Sequence, residues 1–265
     1  DEQKCREMQV AWDGAGPVTE ESPVWTYLST RIPGLQIEWI GKDVRYHPGM
    51  EYVDAWGKKQ GTFPVMLLRA RSPAGKPRRL HRTYLTADGA KVPFLTKKGK
   101  PRAKLEMSAP DGSFGSSVLL NTTRSRTLAL VEGSETGFAV VARYQNRIEV
   151  RSLLNCGGLE RADIRWDDYD HVIIYADRDR IDARHGYRPG EHHAQILADR
   201  LRSLGKRVSI VRSVVEGVDF CDVWAQQYKR RTQRSELARA KRAMRDEARR
   251  RNRALARGSR ASRVV

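Results

Sequence analysis

Three short apolar runs, at residues 128–131, 172–175 and 208–211, are separated by stretches of helical spacing, and that alternation constrains the chain more than any other feature. A strand buried on one face alternates apolar with polar residues. A strand covered on both faces does not, and parallel sheets flanked by helices are where both faces are covered. Residues 135–144 and 191–204 carry the apolar spacing of helices, the second closed by Gly205 at a plausible C′ position. The expectation is an α/β domain over 125–225, built as a β-α-β series around a mainly parallel sheet.

The flanking segments read differently. Residues 1–35 form a helical lead-in, with Met8, Trp12, Val24, Tyr27 and Leu28 as apolar anchors interrupted by Gly14, Gly16, Pro17 and Pro23. Over 36–124 short β-like runs recur, at 36–40, 63–71 and 81–85, with turn signals at 73–76 and Asp88-Gly89. A smaller mixed α+β subdomain, largely antiparallel, is expected there. Residues 97–104 (KKGKPRAK) read as an exposed basic loop, and Gly157-Gly158 as a turn. Residues 226–265 are rich in Ala and Arg and poor in large apolar side chains, which predicts a helix that forms only with support and a disordered end.

This tail concentrates the charge: residues 229–263 hold 15 Lys or Arg against three acids, most of the formal net charge of +18. A polyanion gains affinity by exchanging condensed counterions for Lys and Arg, so nucleic acid is the leading partner. Cys5, Cys156 and Cys221 lie far apart with no C-x-x-C pair, and His192-His193 point different ways on the expected helix; neither set suggests zinc. No run reaches the roughly 18 to 20 apolar residues that span a bilayer, and the start lacks a signal segment. A soluble, cytoplasmic protein with no membrane partner is expected, and the start at Asp1 without Met suggests a piece excised from a longer chain.

In an open parallel sheet, ligands bind beyond the carboxyl ends of the strands, so acids placed there are informative. The first run leads into Glu132-Gly133-Ser134-Glu135, the second into Asp177-Arg178-Asp179, and the third through Val214 and Val215 to Asp219 and Asp222. In an extended segment Asp177 and Asp179 share one face. Two carboxylates on one face suit a hard cation, Mg²⁺ or Mn²⁺, and Glu132 joins them as a third ligand or as a general base. Asp219 and Asp222 read either as outer ligands or as a helix cap.

The segments LALVEGSET, VIIYADRDR and GVDFCDVW resemble the Toprim domain of primases carried by phages, plasmids and other mobile elements. That domain has a Glu-Gly after its first strand, an Asp-x-Asp after a later one, and a closing Gly-x-Asp-x-x-Asp. The lead-in from Trp12 to Arg31, the Arg45-Tyr46-His47-Pro48 turn and the HRTYL…DG hairpin at 81–89 are similar to the same group, so the likeness runs over about 8–225. The resemblance implies a Rossmann-like Toprim domain and template-directed synthesis of short RNA primers on single-stranded DNA from nucleoside triphosphates. It further implies a bacterial host cell and a replicative helicase partner, fused or separate. It also implies that the N-terminal subdomain supplies cations for triphosphate and template, with Arg69, His81, Arg82 and Lys104 as candidates. The chain lacks the zinc finger and helicase domain common in such relatives, and the loop after Asp179 is longer than theirs. Trp56, Tyr84 and Trp166 are candidates for stacking bases, or are core. A Toprim nuclease with the same acids and a non-catalytic single-stranded DNA-binding module are the rival readings.

Overall fold

The computed structural model describes residues 2–109, 115–213 and 216–261, without the side chains of Cys156 and 248–261. The chain divides into two compact units, 1–225 and 226–265.

Within the first unit, helix α1 (Glu2–Asp13) turns Met8, Ala11 and Trp12 to the inside, the i, i+3, i+4 pattern of one helix face. Helix α2 (Pro23–Arg31) opens with Pro23 in its first turn, and its N-cap Ser22 accepts the Trp25 N–H at 3.2 Å. An antiparallel sheet follows in the order β1 (Val44–Val53), β2 (Lys59–Arg71), β3 (Pro77–Tyr84), β4 (Lys104–Ser108). Its two faces have different tasks. Val65, Leu67, Leu80 and Tyr84 form a core with Met8, Ala11 and Trp12 of α1. Alternate residues, Arg79, His81 and Thr83, look the other way, and Arg79 Nη2 donates to the Leu153 carbonyl of the second sheet at 3.3 Å.

That second sheet runs in the order β5 (Val118–Leu119), β7 (Glu149–Ser152), β6 (Thr127–Val131), β8 (His171–Ala176), β9 (Arg207–Arg212). Only β5, at the edge, is antiparallel among these strands. Helices α3 (Ser134–Arg143), α4 (Cys156–Glu160) and α5 (Pro189–Ser203) make the crossovers. Leu128, Leu130, Val172 and Ile174 pack on Ala194, Leu197 and Leu201 of α5, while α3 lies so close on the other face that a Cβ at Gly137 would meet Val131 at 3.0 Å. Strands β6 and β8 are covered on both faces, as their apolar runs required. Gly205 takes φ 73° just past α5, as the stop signal implied.

Four local expectations are corrected. Residues 36–40 have no long strand beside them and close a 3-10 turn, Ile37–Trp39, with only Ile40 bridging to Asn121. Gly157-Gly158 lies inside α4, where Asn155 Oδ1 accepts the Gly158 N–H at 2.7 Å and a Cβ at Gly158 would strike the Leu153 carbonyl at 2.5 Å. Lys104 leaves the basic loop and opens β4, paired with Thr83. The third apolar run, expected to be covered on both faces, forms the edge strand β9, whose Arg207, Ser209 and Arg212 are exposed. Val214 and Val215 lie outside the described residues.

Helix α6 (Phe220–Ala261) begins in the first unit, where Phe220, Cys221 and Trp224 are buried. In the second unit Leu237 and Met244 are 57% and 71% exposed, so the helix there covers no core of its own. Among the described residues no helix is long and apolar enough to cross a membrane.

Candidate active site

Parallel register sets the site. Val131 of β6 pairs with Tyr175 of β8, so Glu132 and Asp177 emerge from neighbouring strand ends at the carboxyl edge of the sheet. The Asp177–Asp179 segment is held there from two sides. The N-terminus of α5 closes on it: Asp179 Oδ2 accepts the Gly190 N–H at 3.2 Å, and a Cβ at Gly190 would lie 2.6 Å from the Asp177 carbonyl. The loop after β9 closes the other side, where the Gly217 N–H donates to the Arg178 carbonyl at 2.9 Å.

Burial pushes the Asp177 carboxyl up to about 6, and the negative charges of Asp179 and then Asp219 push in the same direction, while Lys104 pulls it down. An acid raised by neighbouring carboxylates marks an excess of negative charge that a cation would relieve. Glu132 Oε2 is closed off from solvent and its backbone carbonyl accepts Ser152 Oγ at 2.9 Å. Among the described residues no group of three or more His, Cys, Asp or Glu side chains closes around a common metal point. The three carboxylates read from the sequence, Glu132, Asp177 and Asp179, therefore do not close around one metal point, although Asp177 and Asp179 bring two carboxylates to one strand end.

Asp219, which acts electrostatically on Asp177, shares a cation with Asp222. Arg31 Nη2 bridges Asp219 Oδ2 at 3.3 Å and Asp222 Oδ1 at 3.2 Å, and Asp219 Oδ1 accepts the Asp222 N–H at 2.8 Å as the cap of α6.

A second carboxylate centre lies between the two sheets and was not foreseen. Glu135, on the first turn of α3, is only 6% exposed. Its Oε1 accepts Tyr27 Oη at 2.8 Å and Lys91 Nζ at 2.9 Å, and its Oε2 accepts Lys104 Nζ at 2.7 Å and Ser134 Oγ at 3.0 Å. Burial alone would raise its carboxyl, but Lys104 and Lys91 hold it well below the usual carboxylate range. His81, on the same sheet face as Lys104, is 6% exposed and its Nδ1 has no hydrogen-bond partner among the described residues. Burial, reinforced by Lys104, lowers it to about 3, so it is a neutral imidazole.

Of the four residues expected to grip a nucleotide, only His81 and Lys104 lie on the Glu135 side of the antiparallel sheet. Arg69 pairs with Leu80, and Arg82 with Leu67, on the α1 face. There the Arg69 guanidinium lies 3.7 Å from the Trp12 ring centroid and bonds Asp43 at 3.2 Å, and Arg82 Nη1 donates to Tyr84 Oη at 3.1 Å. Strand alternation separates Arg82 from its neighbour His81. Tyr84 is core and Trp166 packs on the core, whereas Trp56 is 66% exposed in the β1–β2 turn. A cavity of about 380 Å³ opens at the opposite, amino end of the parallel strands, between the Ser72–Gly75 turn, Arg124, Arg151 and Asp168, and does not include the acids.

Residues 2–113 match a family profile described as a domain of unknown function, DUF7146. No curated protein matches the chain. Solved structures do. The primase fragment of the bacteriophage T7 primase-helicase protein aligns at 13% identity and TM-score 0.41, covering 65% of this chain and 62% of its own. The zinc-binding and RNA polymerase domains of Aquifex aeolicus primase align at 15% identity and TM-score 0.40, over 64% of this chain and 39% of theirs. The E. coli primase catalytic core aligns at 14% identity and TM-score 0.46, over 77% of this chain and 69% of its own.

Proposed function

We propose that this chain is the catalytic core of a DNA primase of the Toprim type, joining nucleoside triphosphates into short RNA primers on single-stranded DNA. The observation that carries the proposal is the Asp177–Asp179 pair at the carboxyl edge of a parallel sheet, with Asp177 raised to about 6 by burial and its acidic neighbours. The motif series LALVEGSET, VIIYADRDR and GVDFCDVW and the HRTYL hairpin supply the assignment to primases rather than to nucleases, which need no such hairpin.

Asp177 and Asp179 present carboxylate oxygens to the divalent cation, and Glu132, one strand away, acts as a further ligand or as the base that takes the proton from the attacking 3′-hydroxyl. When bound, magnesium supplies charge neutralisation at the phosphates and orientation of the attacking and leaving oxygens. Lys104, bonded to Glu135 and acting electrostatically on Asp177, offers its ammonium to the triphosphate. Neutral His81, buried on the same sheet face, adds no charge there. The basic 226–265 unit adds a sequence-independent hold on the phosphate backbone. A helicase, fused or separate, would be the replicative partner.

The test is incubation with single-stranded DNA, labelled nucleoside triphosphates and Mg²⁺ or Mn²⁺. Ladders of short RNA are the expected product. Shortened DNA would replace the proposal with a nuclease, and no product of either kind would leave a binding module.

A further inference from the structure

The loop of 180–188, which is longer than the primase resemblance implies, carries a ladder of rings beside the acid pair. The Tyr187 ring stacks on His192 with centroids 4.0 Å apart and planes 24° from parallel, and His185 adds a third ring at 5.5 Å and 33°. The ladder is braced. The Asp182 N–H donates to the Tyr187 carbonyl at 2.9 Å, and Asp182 Oδ1 lies 3.1 Å from His185 Nδ1. The residue after His192 is pinned too, since His193 Nδ1 lies 2.7 Å from Glu160 Oε2. Yet the rings cover no core: His185 and His192 are exposed and Tyr187 is half-buried. Both ends of the loop are tied to the site, because Arg188 Nη1 donates to the Asp179 carbonyl and the Gly190 N–H to Asp179 Oδ2. Arg180 and Arg184 are exposed on the same loop.

Pre-stacked, solvent-facing rings set among arginines are what unpaired nucleobases stack on, since every base offers a π-face and each phosphate a charge. We infer that the His185–Tyr187–His192 ladder is a stacking platform for a nucleobase, of the template strand or of an incoming nucleoside triphosphate, at the lip of the Asp177–Asp179 site. The inference rests on the proposed function and deepens it. Placing a base there would hold its phosphate toward the acids. A loop shortened to the usual length would keep the acids and lose the platform.

The test compares wild type, Tyr187→Ala and Tyr187→Phe in two arms. One arm titrates labelled oligothymidylate and an abasic oligonucleotide of equal length; the other titrates a nucleoside triphosphate and inorganic tripolyphosphate with Mg²⁺. Tyr187→Ala should weaken binding of the base-bearing ligand in at least one arm about tenfold. Tyr187→Phe should stay within about twofold of wild type, since it keeps the ring face. The abasic oligonucleotide and tripolyphosphate should bind all three proteins alike, which also reports that the loop is intact. The arm that responds names the source of the base. Equal affinity of Tyr187→Ala and wild type in both arms overturns the platform, as does an equal loss on the base-free ligands. If the wild type makes primers and the platform test fails, the ladder alone falls. If the wild type binds neither DNA nor nucleotide, the proposed function falls with it.

Discussion

Two carboxylate centres stand within reach of one lysine, and they have opposite fates. Glu135 is deeply buried and fully supplied: two ammonium groups and two hydroxyls meet its oxygens, so it stays ionised far below the ordinary range. Asp177 is less buried and undersupplied: Asp179 and Asp219 crowd it with like charge, and it is pushed up to about 6. Burial raises both, so burial does not distinguish them. What does is the local balance of charge. The balanced centre fastens the antiparallel sheet to α3, and the unbalanced one is left with an excess of negative charge.

Removing the unbalanced charge should strike activity and spare the fold. Asp177→Ala is expected to lower metal-dependent nucleotidyl transfer by about 10³-fold, the scale on which a metal's charge stabilisation acts. Its urea midpoint should not fall, because the variant relieves repulsion. Activity within tenfold of wild type would show that the comparison assigns the chemistry to the wrong centre. Glu135→Gln should do the reverse. It leaves Lys91 and Lys104 facing a neutral amide in a buried site, at a cost of about 2–4 kcal/mol once their partial exposure is allowed for. Chemical denaturation measures that cost directly. A loss of activity with unchanged stability would make Glu135 part of the chemistry.

His81 sharpens the contrast through pH. Its folded-state value, about 3, lies below the ordinary value near 6.5. The unfolded chain therefore takes up a proton first, and stability is lost as pH falls from about 6.5 toward 3. At pH 5 the loss is about 2 kcal/mol. Glu135, with a depressed carboxyl, adds its own loss only at lower pH, as its folded value is approached. His81→Gln should flatten the stability profile from about pH 6.5 down toward pH 3, leaving the carboxylate losses at the acid end. A profile of unchanged slope would show that His81 is not held neutral by its surroundings.

The sequence displays these centres unequally. Asp177 and Asp179 are two residues apart at the end of an apolar run, so adjacency in the chain already implies adjacency in space. The partners of Glu135 lie 31, 44 and 108 residues away, at Lys104, Lys91 and Tyr27, and no local period joins them. Strand β7 was hidden for a related reason. Its Glu149 and Arg151 break the apolar run, yet they pair at 2.7 Å and become compatible with burial. The face of Arg69 and Arg82 was legible: both alternate in phase with the core residues Leu67, Leu80 and Tyr84.

Asp222 tests where the balanced side ends. It follows the third acidic strand end and reads from the sequence as an outer ligand or part of a helix cap; its Oδ1 lies 3.2 Å from Arg31, which also holds Asp219. These side chains are between 37% and 48% exposed, so the pair sits in a well-screened setting and contributes little. Asp222→Asn should cost under about 1 kcal/mol and leave metal-dependent transfer within about twofold. Asp219 differs, because it acts on Asp177 electrostatically and caps α6 with the same carboxylate. A hundredfold loss in Asp222→Asn, reversed by raising Mg²⁺, would move that residue to the unbalanced centre. The boundary between the two would then run through the Arg31 bridge rather than between it and the strand ends.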